Sequence, residues 1–339
     1  MNKYPIYLIT RLGALLFIYT ISVTIGCNND PENIVFMAGY KPQANLPFVS
    51  AYVAQEKGFY QDQKLNVTIQ HASRGEHLQL LMAGEVDFTT AAATSVLKRR
   101  SDPEIPIVAF ALLGQRAQQA YIALKESGIE DVKDWEGKTF GYKISPPPDY
   151  LALLKSNNVD RSKITEVNAG FDPRILTEKK VDILAIFKSN EPDTIQKLGF
   201  EITLWDPADY GIPSMGLTFI TRQEIIENNP ELVEKFLKAT LTGTHYALQN
   251  QDETLDIIMK YAPNEDRDHQ KFMLSTELKD SQSSLTDKNG LGFMTNNQWK
   301  NLYDHLLEFE ALPNQFDYRT AYTNEFLQSV YKDDILLSP

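Results

Sequence analysis

The sequence predicts an α/β protein of two lobes, on three observations. A strand, helix, strand, helix, strand order runs through residues 34–93 and begins again at Lys138. The strand runs are rich in Val, Ile and Phe, and the segments between them carry apolar residues at helical spacing, the pattern of βαβ units and parallel sheets. The last third of the chain reads as helices, with no third copy. Two such sheets leave a cleft suited to capturing a small molecule.

In the first copy, IVFMAGY (34–40), NVTIQH (66–71) and VDFTTA (86–91) are strands, separated by the helical segments PFVSAYVAQEKGFY (47–60) and GEHLQLLMAGE (75–85). PIVAFALL (106–113) adds a fourth strand. The second copy runs KTFGYK (138–143), PDYLALLKSNN (148–158), ITEVNAG (164–170), DPRILTEKK (172–180) and VDILAIF (181–187), followed by the strand FEITLW (200–205) and the turn DPADYGIP. MGLTFIT (215–221) is a further strand. Residues 230–250, 253–261 and 297–309 have helical periodicity. The expected organisation is a first lobe of residues 33–117 and 214–339 and a second lobe of 118–213. Two crossings, near 115–121 and 210–217, form a hinge, with no low-complexity linker between the lobes.

Composition bounds the function. The chain has 339 residues, enough for a core in each lobe, with 42% hydrophobic and 23% charged residues. A net charge of -12 offers no field to gather phosphates, which argues against nucleic acid. At the N-terminus, Lys3 and Arg11 precede an apolar run over 12–25, short for a membrane span and suited to a signal peptide of residues 1–26. Gly26-Cys27 resembles a bacterial lipoprotein signal, with Thr24 where leucine is usual, Cys27 the lipidated residue and 27–32 a polar tether. A cleaved signal with a chance cysteine, or an uncleaved anchor, is the other reading. Cys27 is the sole cysteine, so no internal disulfide can form.

Ligands of open α/β sheets sit beyond the carboxyl ends of the strands, near helix N-termini. That rule selects Tyr40, Gln43, Asn45 and Phe48 after the first strand, Glu76 after the second and Thr90 at the third. Gln115 lies at the first crossing. In the second lobe it selects Tyr142, Asp149 and Tyr150, then Phe187, Asn190 and Glu191, with Trp205, Asp209 and Tyr210 near the second crossing. Asn45 can instead cap a helix, and Glu76 suits a helix first turn. The theme is aromatic faces with amide partners, which suits a planar ligand. The five histidines (His71, His77, His245, His269, His305) form no HExxH motif, and no GxGxxG, P-loop or GxSxG occurs, so neither a metal site, a cofactor nor an enzyme is expected.

Tyr52–Tyr60 (YVAQEKGFY), with Leu65-Asn-Val67 and Met82–Asp87 (MAGEVD), resembles the NMT1/THI5-like and SsuA-like substrate-binding proteins of ABC importers. The resemblance runs through nearly the whole mature chain, to Trp299 and Glu325-Phe-Leu327. It implies the type 2 periplasmic binding protein fold, with two mixed sheets, and a function of capturing a small planar, vitamin-like ligand for a permease and its ATPase. It also implies a monomer held outside the cytoplasm by a lipid anchor. Tyr40, Pro42 and Gln43 stand where pyrimidine-binding members have tryptophan, proline and asparagine, and Glu191 matches a glutamate that bonds the ligand ring. Residues 39–47, 75–79, 170–174, 187–192 and 206–211 resemble the riboflavin-binding, RibY-like branch. Riboflavin is therefore the implied cargo, with carboxylates such as Asp149 or Asp209 accepting from its ribityl hydroxyls. A thiamine pyrimidine precursor is the alternative. THI5-type synthases share the fold but carry a cysteine-rich motif, which this chain lacks.

Overall fold

The computed structural model describes Met1, residues 30–332 and residues 335–336. The signal-peptide and Cys27 expectations lie outside the described residues. The chain opens with β1 (Glu32–Ala38), β2 (Leu65–His71), β3 (Phe88–Ala92) and β4 (Ile107–Leu112). It then crosses to β5 (Gln119–Leu124), β6 (Thr139–Tyr142), β7 (Thr165–Asn168), β8 (Ile183–Phe187) and β9 (Ile202–Trp205), and returns in β10 (Leu217–Arg222).

The first sheet has the order β2-β1-β3-β10-β4 and the second β7-β6-β8-β5-β9. Within each, the strands of the repeated βαβ units are parallel, as their spacing predicts. Each sheet also contains a strand that enters from the other lobe and runs antiparallel: β10 between β3 and β4, and β5 between β8 and β9. Both sheets are therefore mixed. β5 (QAYIAL) has no counterpart among the sequence expectations. The helical segment 172–180 shrinks to Arg174–Thr177, because Gly170 and Pro173 break its start and Lys179 takes a positive φ.

One face of the first sheet packs against the helices Leu46–Glu56 and Pro230–Gln249 through Phe36, Phe88, Phe110, Phe219 and Phe236. These two helices approach so closely that a Cβ on Gly243 would sit 2.3 Å from the Ser50 carbonyl oxygen. The other face is covered by the helices Ala93–Arg100 and Asn296–Glu308, centred on fully buried Trp299. In the second lobe Tyr121, Trp135, Phe140, Tyr150 and Trp205 fill one side of the sheet, and Ile122, Leu184, Ile186 and Ile195 the other.

The two crossings run backbone to backbone. The Gly216 amide donates to the Gly114 carbonyl at 2.8 Å, and Leu113 donates to Leu217 at 2.9 Å. A Cβ on Gly216 would lie 2.8 Å from the Arg116 carbonyl oxygen and 3.0 Å from the Gly114 Cα. Two glycines are what the spacing of the hinge permits. We predict that Gly216→Val costs about 1–3 kcal/mol through backbone overlap, seen as a lowered melting temperature. Substitution at exposed Gly128, where a new Cβ meets nothing within 4 Å but φ is +71, should act through φ strain alone.

Candidate ligand cleft

Strand direction places the cleft. β5 begins at the first crossing, and its Gln119 pairs with Phe187 at the carboxyl end of β8. β10 begins at the second crossing, and its Leu217 pairs with Ala92 at the carboxyl end of β3. The carboxyl ends of the parallel strands in both sheets therefore sit at the hinge and look toward the opposite lobe.

On the first lobe's rim, Tyr40 is 53% exposed. Its backbone is held by His71, whose Nδ1 lies 2.9 Å from the Tyr40 carbonyl oxygen and whose Nε2 lies 3.0 Å from the Tyr52 hydroxyl. Burial pushes His71 below its ordinary pKa, so the ring is neutral at pH 7. Asn45 does not cap the helix that follows it. Its amide donates instead to Glu277 at 3.0 Å and accepts from Gln43 at 2.5 Å.

Glu277 belongs to the helix Arg267–Asp280, which bridges the lobes. Its carboxylate also accepts from the Leu46 amide at 3.3 Å and from the Ser189 hydroxyl, in the second lobe, at 3.1 Å. Burial raises Glu277 to about 7, against the pull of its three donors. Further along the helix, His269 lies 2.6 Å from Asp193 and 2.9 Å from Asn190. At its end, Asp280 and Asp206 hold the buried Lys188 ammonium at 2.9 and 2.6 Å.

On the second lobe's rim, the Lys143 ammonium sits 3.5 Å from the centroid of the Phe187 ring and 5.5 Å from that of Phe171. It pairs with buried Glu191 at 2.5 Å, and the other Glu191 oxygen accepts from the Phe187 amide at 2.8 Å. Burial lowers the Lys143 pKa, partly offset by Glu191. Phe171 and Phe187 remain 65% and 39% exposed. Together these groups set two exposed aromatic rings about one cation, which lies over a face of Phe187.

Several expected ligand contacts have other duties. Phe48, Tyr150 and Trp205 are packed in the core, because helical and strand alternation turns them inward from the loops that precede or follow. Thr90 is buried and accepts the Gly39 amide, joining β3 to the end of β1. Gln115 is spent on the Leu112 and Phe293 carbonyls and on Gln298. Glu76 folds onto the amides of Ser73 and Arg74, which hold it down to about 2. Asp209 pairs with Arg116, and Asn190 with His269. Tyr40, Phe187 and Tyr210 stay exposed, Tyr142 is half-buried, and Asp149 lines a cavity of about 220 Å³ with Thr94, Lys98 and His305. Lys143, Phe171, Glu277 and Lys188 were not singled out from sequence. Among the described residues no group of three or more His, Cys, Asp and Glu side chains could hold a metal ion.

A family model described as NMT1/THI5 like matches residues 45–254, well over half of the chain. The chain belongs to the NMT1/THI5-like family. Among curated relatives, it is 27% identical to the riboflavin-binding protein RibY of Chloroflexus aurantiacus over 87% of this chain and 86% of that protein. It is 23% identical to the formylaminopyrimidine-binding protein of Halalkalibacterium halodurans, over 82% and 84% of the two chains. The 4-amino-5-hydroxymethyl-2-methylpyrimidine phosphate synthase THI5 of Saccharomyces cerevisiae is 24% identical over 87% and 88%. The solved periplasmic aliphatic sulphonate binding protein SsuA of Escherichia coli shares the fold, with a TM-score of 0.65 at 12% identity over 86% of this chain and 92% of that one. An NMT1/THI5-like chain of this architecture has two mixed sheets flanked by helices, the arrangement found here.

Glu277 gives a pH test within this family fold. The folded protein retains its proton up to about pH 7, whereas the unfolded chain releases it near the ordinary 4.5. Stability therefore falls as pH rises between those values, by up to about 1.4 kcal/mol per unit, and levels off above them. Glu277→Gln should remove this slope relative to the parent protein, as measured by urea unfolding at pH 5, 6, 7 and 8.

Proposed function

We propose that this chain is the substrate-binding component of an ABC importer, which captures riboflavin or a related flavin in the interlobe cleft and delivers it to a permease. Residues 33–117 with 214–339, and residues 118–213, are the two bodies that close on the ligand about the Gly114–Gly216 crossings. Closure follows from tighter binding to the closed state than to the open one. The observation that carries the reading is the exposed Phe187 and Phe171 rings with the Lys143 ammonium between them. A tricyclic ring offers the area such rings need, each aromatic pair contributing about 0.5–1.5 kcal/mol beyond burial. Lys143 supplies donors for ring carbonyls, and Tyr40 offers a facing surface from the first lobe. The relationship to the riboflavin-binding protein RibY supports the same cargo.

A second reading, a thiamine pyrimidine precursor, is favoured by the formylaminopyrimidine-binding relative and by Glu191. The Lys143–Glu191 pair weighs against it, since the carboxylate that would accept from an exocyclic amine is already matched to an ammonium. A synthase activity like that named for the yeast relative would need reactive groups in the cleft. His71 and His269 there are engaged with neighbouring side chains and backbone, and the sole cysteine is Cys27.

Purified protein, unfolded and refolded once to remove bound ligand, should quench riboflavin fluorescence saturably at one equivalent, with micromolar or tighter affinity (about -8 kcal/mol). Lys143→Met should weaken that binding about tenfold, the scale of one charge-assisted hydrogen bond. Absence of quenching at high protein concentration would reject the flavin reading and leave the pyrimidine.

The proposed location is outside the cytoplasm, with Cys27 carrying the lipid. No helix among the described residues is long and apolar enough to cross a membrane. Full-length protein should incorporate a labelled fatty acid and Cys27→Ser should not. A parent protein that takes up no label would point to an uncleaved anchor or a cleaved signal with a chance cysteine.

A further inference from the structure

The helix Arg267–Asp280 is seated on the first lobe and turned toward the second. Met273, Leu274 and Leu278 join the first lobe's core, and Gln270 accepts the Ala44 amide at 2.7 Å. Asp266 at the N-cap, His269, Glu277 and Asp280 fall within one stripe at helical spacing, and that stripe reaches the second lobe. All four meet one short stretch of it. Lys197 faces Asp266, Asp193 and Asn190 face His269, Ser189 faces Glu277, and Lys188 faces Asp280. The stretch has two sides: Glu191 pairs with Lys143, while Asn190 and Asp193 turn to the helix.

These contacts differ in leverage. Asp280 lies at the hinge, where its carbonyl accepts the Arg116 amide at 3.2 Å and its carboxylate accepts from Gln118 at 2.8 Å. His269 lies three helical turns away, roughly 16 Å along the axis. A rotation of about 10° at the crossings leaves Asp280 in place and moves His269 by about 3 Å, more than a hydrogen bond survives. The His269–Asp193 pair is only 16% and 14% exposed. Lys197, which bonds both Asp193 and Asp266, is nearly half exposed, so its pairs contribute little.

The geometry also fixes a protonation state. His269 Nδ1 lies 2.6 Å from a carboxylate oxygen of Asp193, and Nε2 lies 2.9 Å from the side-chain carbonyl oxygen of Asn190. Neither oxygen donates. With the Asn190 amide turned this way, both ring nitrogens must carry hydrogen, as they do only in the imidazolium. A neutral ring leaves one of the two oxygens facing a lone pair. The charged groups facing His269 are Asp193 and Lys197 of the second lobe's helix Glu191–Lys197 and Asp266 at the start of its own. The contact is therefore complete at low pH, and it loses a hydrogen bond and an ion pair as the imidazolium gives up its proton.

We propose that His269 is a proton-dependent catch between the lobes: its imidazolium clamps the turn 190–193 to the first lobe, and loss of the proton frees the outer side of the cleft to open. The catch acts whatever the cleft holds. It bears on the candidate site because the turn it grips carries Glu191.

The test uses purified protein freed of ligand by one round of unfolding and refolding, at pH 6 and pH 8. Hydrogen exchange over residues 188–197, corrected for the intrinsic effect of pH, is read together with the radius of gyration from small-angle X-ray scattering. The parent is compared with His269→Gln, Asp193→Asn and Glu277→Gln. Glu277 is included because its carboxyl, held up to about 7, changes charge over the same range. In the parent, protection should fall about tenfold from pH 6 to pH 8, as loss of one hydrogen bond to a charged group predicts, and the radius should rise. His269→Gln should show neither change and should stay at the parent's pH 8 values. Asp193→Asn, which leaves the histidine in place, should lose most of the fall, and Glu277→Gln should keep it. If His269→Gln does not fold, Asp193→Asn decides. A parent without the fall, a fall retained in Asp193→Asn, or one abolished by Glu277→Gln would overturn the catch. Protection lost with no change in radius would reduce the effect to local fraying and overturn it as well.

Discussion

The buried ammonium of Lys188 is the constraint around which the cleft is arranged. A charge so enclosed is tolerable only with close counter-charges, and Asp206 and Asp280 supply them from two directions. Asp206 follows β9, and Asp280 ends the bridging helix Arg267–Asp280. Meeting at one nitrogen, they bring that helix against the loop after β8. Gln118 completes the enclosure, donating to Asp280 and accepting from the Ser189 amide, so the first crossing is drawn into the same cluster. Arg116, on that crossing, reaches Asp206 as well. The position of Phe187 and Glu191, and through them of Lys143, follows from this cluster.

The architecture was largely legible in the sequence because the two βαβ copies announce themselves through alternation between apolar runs and helical periods. What escaped were elements whose inward faces are polar or whose strand status depends on the partner lobe. The helix Arg267–Asp280 buries Gln270, Glu277 and Asp280 beside Met273, Leu274 and Leu278, so polar positions interrupt the apolar stripe by which helices are recognised. β5 is short and holds a glutamine at its start, and its place is set by β8 and β9, far along the chain.

The site was legible at the level of loops and less so at the level of side chains. Choosing strand ends picked out Tyr40 and Phe187, exposed at the rims of the candidate cleft, and Glu191, buried beneath Lys143. The same rule swept in Phe48, Tyr150 and Trp205, since a residue one or two places beyond a loop can face the core as readily as the cleft. Lys143 was passed over because a lone lysine after a strand reads as a solvated charge. Its value comes from Glu191 and two phenylalanines that lie 28 to 48 positions away in the chain. Only the fold puts them together.

The Glu277 carboxyl accepts from both sides of the cleft, from Asn45 and the Leu46 amide in one lobe and from Ser189 in the other. Burial makes this group hold its proton and the hydrogen bonds favour its ionised form, so a movement that withdraws Ser189 and admits water acts on both, burial being the larger influence. Movement of the lobes and the proton on Glu277 are then linked in one equilibrium. Near neutrality, the heat of ligand binding must depend on the ionisation enthalpy of the buffer whenever that movement accompanies binding.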